Sequence, residues 1–384
     1  MPEGPEELEG VAWLFCPADR PERFAKAADR ADVVILDLED AVSPGNRPAA
    51  RRALAEQRLD PDRTVVRINP TGSPDHALDL AVLHETSYPT VMLAKTESAA
   101  EAQALAPLQV VALCETPAGV QNAGAIAAAD NVQALMWGAE YLIAALGGTS
   151  SRFPNGRYRD VARHARSSVL LAAGAAGKLA IDSVYLDIPD LDGLNEESID
   201  AAASGFGAKA CIHPSHVPII RAAHAPTSEE LEWAERVLAA SGSGGEVFTL
   251  DGRMIDEPLL RQARRLLARL RRFREGLQRG LVAVEGPGGA RIGLDVDERL
   301  DDLFRGDAVV QRDAQLSAEG FVGAQGHGDG HGDECAGAGV EDVGACGTRW
   351  SESKSKAGGS TFTRSAAAGS VSPARSASFP ASAC

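Results

Sequence analysis

Cysteine is scarce in this chain. Six cysteines among 384 residues make no disulfide framework. Cys16, Cys114 and Cys211 each lie in an apolar, strand-like stretch (LFCP, VALCET and KACIHP), and they read as small buried hydrophobes rather than nucleophiles. Basic charge is short too. Lys and Arg number 38 against 54 Asp and Glu, a formal charge of −16, which speaks against nucleic acid or an anionic membrane as partner. No apolar run approaches the ~20 residues that span a bilayer. The start, MPEGPEELEG, lacks the basic beginning and apolar stretch of a signal peptide, so a cytoplasmic protein is expected. Missing as well is a G-x-G-x-x-G loop, because CPADRPE follows the first strand-like run. A doubly wound open sheet is therefore the second choice of fold.

What is present is a long alternation. Short apolar, β-branched runs occur at residues 11–15, 33–38, 64–68, 90–94, 109–113, 132–137, 181–186 and 208–212. Between them lie stretches of helical composition at 22–31, 47–57, 98–106, 119–129 and 160–177. Near-continuous apolar strands separated by helices indicate a parallel sheet covered by helices. Eight strands are the number that closes a (β/α)8 TIM barrel, and the 44% hydrophobic content suffices for its core. The expected organisation is a barrel domain over residues 11–240, a linker with a C-terminal lid and basic helix over 241–280, and a low-complexity tail over 281–384. Ser228 is the expected cap of a helix at 228–240. The Arg- and Leu-rich helix from Pro258 to about Arg279 is expected to present a solvated face or to meet an acidic neighbouring subunit, with nucleic-acid contact the weaker alternative. His327, His331 and Cys335 stand four apart in a Gly-rich context with no scaffold to fix a metal geometry.

Seven of the eight runs end in polar or ionisable residues: Asp37, Glu39 and Asp40; Arg67 and Asn69; Lys95 and Glu97; Glu115; Glu140; Asp187; His213. In a barrel the C-terminal strand ends share one face, where catalytic groups gather. Any one of these charges also fits the start of a solvated loop; their recurrence favours a site.

Four segments go further. VVILDLEDAV (33–42), VVRIN (65–69), CETPAGVQNAGAIAAADNVQALMWGAEYLIAALG (114–147) and GFGAKACIHPSHV (205–217) together resemble the citrate lyase β-subunit-like, HpcH/HpaI aldolase superfamily of CoA-ester lyases. FCPADRPERFAKA, LAKTE and DGRMIDEP agree in the same order, so the resemblance covers about residues 11–272. It implies a Mg2+-dependent carbon–carbon lyase acting on a 3-hydroxyacyl-CoA thioester such as malyl-, citramalyl- or citryl-CoA. The products would be an acyl-CoA and a 2-oxo acid, and the protein a homotrimer or homohexamer. Such chemistry needs a Lewis acid, a cation for the substrate carboxylate and a base for the hydroxyl proton.

By this resemblance Arg67 is the substrate-carboxylate clamp, a task suited to its planar fork, and Glu115 is a metal ligand that also meets the substrate. Asp37, Glu39 and Asp40 are implied to orient Arg67 and metal-bound water, with Lys95 and Glu97 as a paired support. For Asp256 of the M-I-D stretch two readings stand: a proton carrier on a lid reaching a neighbouring subunit, or a cap for the basic helix. His213 reads as structural or CoA-facing, and Arg20, Arg23 and Arg152 as places for CoA phosphates. One departure stands out. The family's G-x-x-D-L stretch, whose Asp is the second metal ligand, here reads Gly138-Ala139-Glu140-Tyr141-Leu142. A phenol is a poor Mg2+ ligand. Three readings stay open: Glu140 swings in as a metal ligand, Glu115 holds the metal with substrate alone, or the chain is a catalytically silent homologue that binds CoA esters or a partner. A CoA-independent aldolase of the HpcH type is a further alternative.

Overall fold

The computed structural model describes residues 10–241 and 247–282. Eight parallel strands, β1 (Ala12–Pro17), β2 (Val33–Asp37), β3 (Thr64–Ile68), β4 (Thr90–Leu93), β5 (Gln109–Cys114), β6 (Val132–Trp137), β7 (Leu179–Asp182) and β8 (Ala208–Cys211), form a closed barrel in sequence order. Ala12, Trp13 and Leu14 of β1 pair with Lys209, Ala210 and Cys211 of β8, which closes the ring. The strands are Val-, Ile- and Leu-rich because both faces are buried. One face fills the lumen with Trp13, Val33, Ile35, Val65, Met92, Val111, Leu113, Ala134, Met136, Ile181, Ala208 and Ala210. The other, including Leu36, Val66, Leu135 and Trp137, packs on the helices. Each fully buried aliphatic side chain here contributes roughly 1.5–3 kcal/mol.

The covering helices are α1 (Phe24–Arg30), α2 (Arg47–Glu56), α3 (Pro74–Leu83), α4 (Ala99–Gln103), α5 (Pro117–Gln121), α6 (Ala123–Ala127), α7 (Ala139–Ala145), α8 (Asp160–Ala176), α9 (Leu191–Ser204) and α10 (His216–His224). Two expectations need correction here. The seventh strand ends at Asp182, not at 186, because Lys209 on β8 draws Asp182 and the Ser183 carbonyl together. The apolar VYL that follows is loop, and its Tyr185 is buried against Arg152. The single helix expected at 119–129 is two short ones. Thr116 caps the first, and Asn122 breaks the run while its side-chain amide donates to the Glu97 carbonyl.

Beyond the barrel, α11 (Ser228–Ala240), a hairpin of β9 (Phe248–Leu250) and β10 (Arg253–Ile255), and α12 (Glu257–Val282) follow. Thr227, not Ser228, caps α11, in a capping box with Glu230. Asp251 and Gly252 turn the hairpin, both at positive φ (51° and 75°), as a two-residue Asp-Gly turn requires. Ala234, Val237, Ile255, Leu260, Ala263 and Leu266 bury one another in a small core of their own. The tail residues His327, His331 and Cys335 lie outside the described residues. Among the described residues no helix is long and apolar enough to cross a membrane.

Candidate active site

Side chains alternate across a strand, so the lumen series continues upward to Phe15, Asp37, Arg67, Glu115 and Gly138 at the C-terminal rim. Arg67 sits at the centre. Its Nε donates to Asp37 Oδ1 at 2.7 Å and its Nη2 to Asp37 Oδ2 at 2.5 Å. Nη1 lies 3.4 Å from Glu39 Oε2, and the Phe15 ring sits 4.8 Å beneath the guanidinium carbon. Burial disfavours the charge, yet Asp37 holds the guanidinium above its ordinary value. Asp37 is fixed in turn by the backbone N–H groups of Glu39 and Ala41.

Lys95 joins this group from the end of β4. Its ammonium pairs with Glu39, lies 3.4 Å from Asp40 and stands 4.4 Å over the Tyr141 ring. The residue takes φ +52°, a left-handed conformation unusual outside glycine. In that conformation its backbone N–H points to Glu115 Oε1 at 3.3 Å. Glu115 is 7% exposed. Burial pushes its carboxyl up to about 7, against the pull of Arg67 and Lys95. Gly138, just past the end of β6, leaves room for it: a Cβ on Gly138 would lie 2.8 Å from both Glu115 Cβ and Oε2.

Four carboxylates thus face two cations. Asp37, Glu39 and Asp40 each have a cationic partner; Glu115 has no ion pair among the described residues. The mouth carries a formal excess of two negative charges, gathered where strands β2 to β5 end. Among the described residues no three His, Cys, Asp or Glu side chains cluster as a ready-made metal cage. One buried, uncompensated carboxylate is nevertheless within the habit of Mg2+, which takes one or two protein carboxylates and keeps waters. Glu115 fits that role.

A sequence profile described as HpcH/HpaI aldolase/citrate lyase matches residues 12–214. The chain belongs to this family. A second profile, a carbon–carbon bond lyase of the TIM-barrel fold, matches residues 162–273. The citrate lyase subunit beta-like protein of Mycobacterium tuberculosis is 59% identical over 260 residues, covering 68% of this chain and 95% of the relative. Mitochondrial citramalyl-CoA lyase of Homo sapiens is 30% identical over 286 residues, covering 66% of this chain and 83% of the relative. Among solved structures, protein CitE of Mycobacterium tuberculosis in complex with magnesium, acetoacetate and coenzyme A superposes with a TM-score of 0.66 at 58% identity. That match covers 68% of this chain and 98% of that one.

With the family settled, the expected residues sort themselves. The structure brings Asp37, Glu39, Asp40, Arg67, Lys95 and Glu115 together. It does not bring Glu140, which stands on α7 rather than on a strand and accepts a 2.6 Å hydrogen bond from Ser151. The carboxylate expected beside Glu115 is thus turned to a loop, and Tyr141 faces Lys95 instead. Glu97 is exposed, and Lys95 pairs with Glu39 rather than with it. Asn69 serves the fold by donating to the Leu38 carbonyl and to Asp79. Asp187 is exposed in the loop beyond β7, and His213 bonds Ser215.

Asp256 stands at the start of α12, where its carboxylate accepts from the Leu259 N–H at 3.4 Å. It joins none of the ion pairs at the mouth. Arg152 is engaged: it stacks 3.6 Å over Tyr158 and pairs with Glu197 at 2.8 Å. Sequence reasoning missed Phe15 and Gly138, although alternation along β1 and β6 marks both as lumen-facing. It missed the buried Asp182–Lys209–Glu197 network entirely.

Proposed function

We propose that this protein is a Mg2+-dependent carbon–carbon lyase that cleaves or forms a 3-hydroxyacyl-CoA thioester of the malyl-, citramalyl- or citryl-CoA kind. The observation that carries the reading is the charge balance at the barrel mouth. A 2-oxo acid anion approaching a site that sets four carboxyl groups against two cations would be poorly held unless a divalent cation joined it and drew the proton from buried Glu115. Glu115, buried and without an ion pair, is the group that would hold that cation. Bound Mg2+ would supply Lewis acidity to the oxo-acid oxygens.

The remaining chemistry belongs to the chain. Arg67, held in place by Asp37 and Glu39, presents its Nη1 edge to the substrate carboxylate. The interaction is charge-assisted and directional. During cleavage the hydroxyl gives up its proton, the carbon–carbon bond breaks, and its electron pair becomes the thioester enolate, which a proton then converts to acyl-CoA. Asp256 enters the proposal as the proton carrier of a neighbouring copy, because in its own chain it starts α12. The lid reading therefore requires the homotrimer or homohexamer.

Tyr141 favours a second reading, a weakened or silent homologue, because it puts a neutral ring beside Lys95 where a further carboxylate would strengthen metal binding. One experiment separates the two. Purified protein is assayed with malyl-, citramalyl- and citryl-CoA, with and without Mg2+, alongside Glu115→Ala and Tyr141→Asp. The lyase reading expects wild-type turnover that needs Mg2+ and falls at least ~100-fold in Glu115→Ala, the scale for losing a group that acts in the transition state. Turnover seen only in Tyr141→Asp would establish the silent reading. Cleavage of the free hydroxy acids without CoA would move the protein to the CoA-independent aldolases.

A further inference from the structure

A second cavity lies outside the barrel mouth, at the far end of α7. It is open to solvent, measures about 390 Å³ and is lined by Ile143, Leu146 and Val161, the 147–150 loop and Arg159. The loop is built to hold its shape. Gly147 adopts φ +76° and donates to the Ala144 carbonyl, and the Gly148 N–H donates to the Ile143 carbonyl at 2.8 Å. A Cβ on Gly148 would strike Ile143 Cγ2 at 2.7 Å, so only glycine lets the loop lie this close to the helix.

The polar groups around this cavity are unspent. The Arg159 guanidinium stacks 4.7 Å from the Phe153 ring but has no carboxylate or carbonyl acceptor among the described residues. The backbone N–H groups of Thr149 and Ser150 likewise have no partner there. In a chain of charge −16, where most buried or half-buried arginines are paired, an unpaired one at a cavity wall is a resource for an anion. Beside it Leu146, Phe153 and Val161 are 51%, 43% and 44% exposed, so the anion's apolar body also has a surface to lie on.

We propose that this cavity binds a phosphate monoester with a flat apolar body, of the size and chemistry of a nucleoside monophosphate. An arginine fork and free loop amides match phosphoryl oxygens. The exposed Phe153 ring, which lies outside the cavity lining but against the Arg159 guanidinium, offers a stacking face for a base at the cavity's edge. The inference is independent of the lyase reading, since none of the residues at the mouth lines this cavity.

The test is calorimetric titration of the full chain with adenosine 5′-monophosphate, with adenosine and inorganic phosphate as separate probes. Saturable binding is expected on the order of 0.1 mM, with each half-ligand at least ~10-fold weaker. Arg159→Gln should weaken nucleotide binding ~10-fold or more and Phe153→Ala several-fold, while both keep the wild-type melting temperature and lyase turnover. Arg67→Gln should leave nucleotide binding unchanged. No saturation at millimolar nucleotide, an unaltered Kd in Arg159→Gln, or loss of binding in Arg67→Gln would each overturn the proposal.

Discussion

Gly138→Ala is the sharpest probe of the mouth, because it adds one methyl group next to one functional side chain, Glu115. Gly138 has φ −130° and ψ 129°, an extended conformation that alanine adopts freely. The substitution therefore introduces no backbone strain. What it introduces is a contact: the new Cβ would stand 2.8 Å from Glu115 Cβ and Oε2, where ordinary van der Waals contact begins at 3.4 Å. The Glu115 carboxylate must therefore retreat by about half an ångström or more. Functional groups need positioning to about 0.5 Å, and a displacement near 1 Å can cost ~100-fold in rate.

The expectation for Gly138→Ala is a ~10–100-fold fall in kcat/KM, carried mainly by kcat. Metal affinity, measured with Mn2+ by electron paramagnetic resonance, should weaken alongside. Overpacking of this size costs about 1–3 kcal/mol, so the protein should remain folded, with a melting temperature lowered by several degrees at most. A variant with turnover and Mn2+ affinity within twofold of wild type would show that Glu115 does not hold the cation. A variant that fails to fold would be replaced by Glu115→Asp, which withdraws the same carboxylate without crowding.

Three further outcomes follow from the same geometry. In metal-free buffer, the stability of wild type relative to Glu115→Gln should fall as pH rises from about 4.5 through about 7. Burial holds this carboxyl protonated to about 7, so its contribution is full below its ordinary value and lost above the raised one, a span of roughly 3 kcal/mol; added Mg2+ should reverse the loss. Arg67→Lys should lose ~100-fold or more in kcat/KM on any active thioester, since a lysine cannot keep two bonds to Asp37 and still offer an edge to substrate. Lys209→Met should destabilise the fold by ~3 kcal/mol, read by urea unfolding. It removes the buried ammonium from Asp182, which keeps Arg166 and Trp137, and from Glu197, which keeps Arg152. Asp182 lies at about 2, so in wild type its contribution is present above about 4 and drains away as pH falls toward 2.

Much of this was legible in the sequence because a barrel strand writes its fate in two positions at once. Val33, Ile35 and Asp37 share one face, as do Val65 and Arg67, so an ionisable residue that ends a lumen-facing series lands at the mouth. Asp37, Arg67 and Glu115 follow from that rule. Where the rule failed, local chemistry outside the strand decided. Asn69 lies past the end of β3, and its side chain is claimed by Asp79 of α3. Lys95 would point elsewhere in an ordinary conformation; its left-handed φ left no mark in the residue type. The Asp182–Lys209 pair reads as two charges inside apolar strands. Only the closed sheet, which sets Asp182 beside Lys209 in register, turns two improbable burials into a paired network with Glu197 and Arg166.

Glu140 and Tyr141 show the limit of pattern reading most clearly. Alternation on a strand would send these neighbours to opposite faces and leave Glu140 poorly placed by parity alone. The residues are in the first turn of α7 instead, where successive side chains diverge by about 100° rather than 180°. Both can therefore approach the rim, and what separates them is their partners: Ser151 takes the carboxylate, and the Lys95 ammonium takes the ring. The ring does more than fill the place. A carboxylate at 141 would compete with Glu39 and Asp40 for Lys95 and raise the negative excess of the mouth from two to three. A phenyl face attracts the ammonium without adding charge, so Lys95 stays committed to Glu39, and Glu39 in turn stays beside Arg67. On the proposed function, Tyr141 would weaken the mouth's hold on a divalent cation and strengthen the order around Arg67 through one and the same contact.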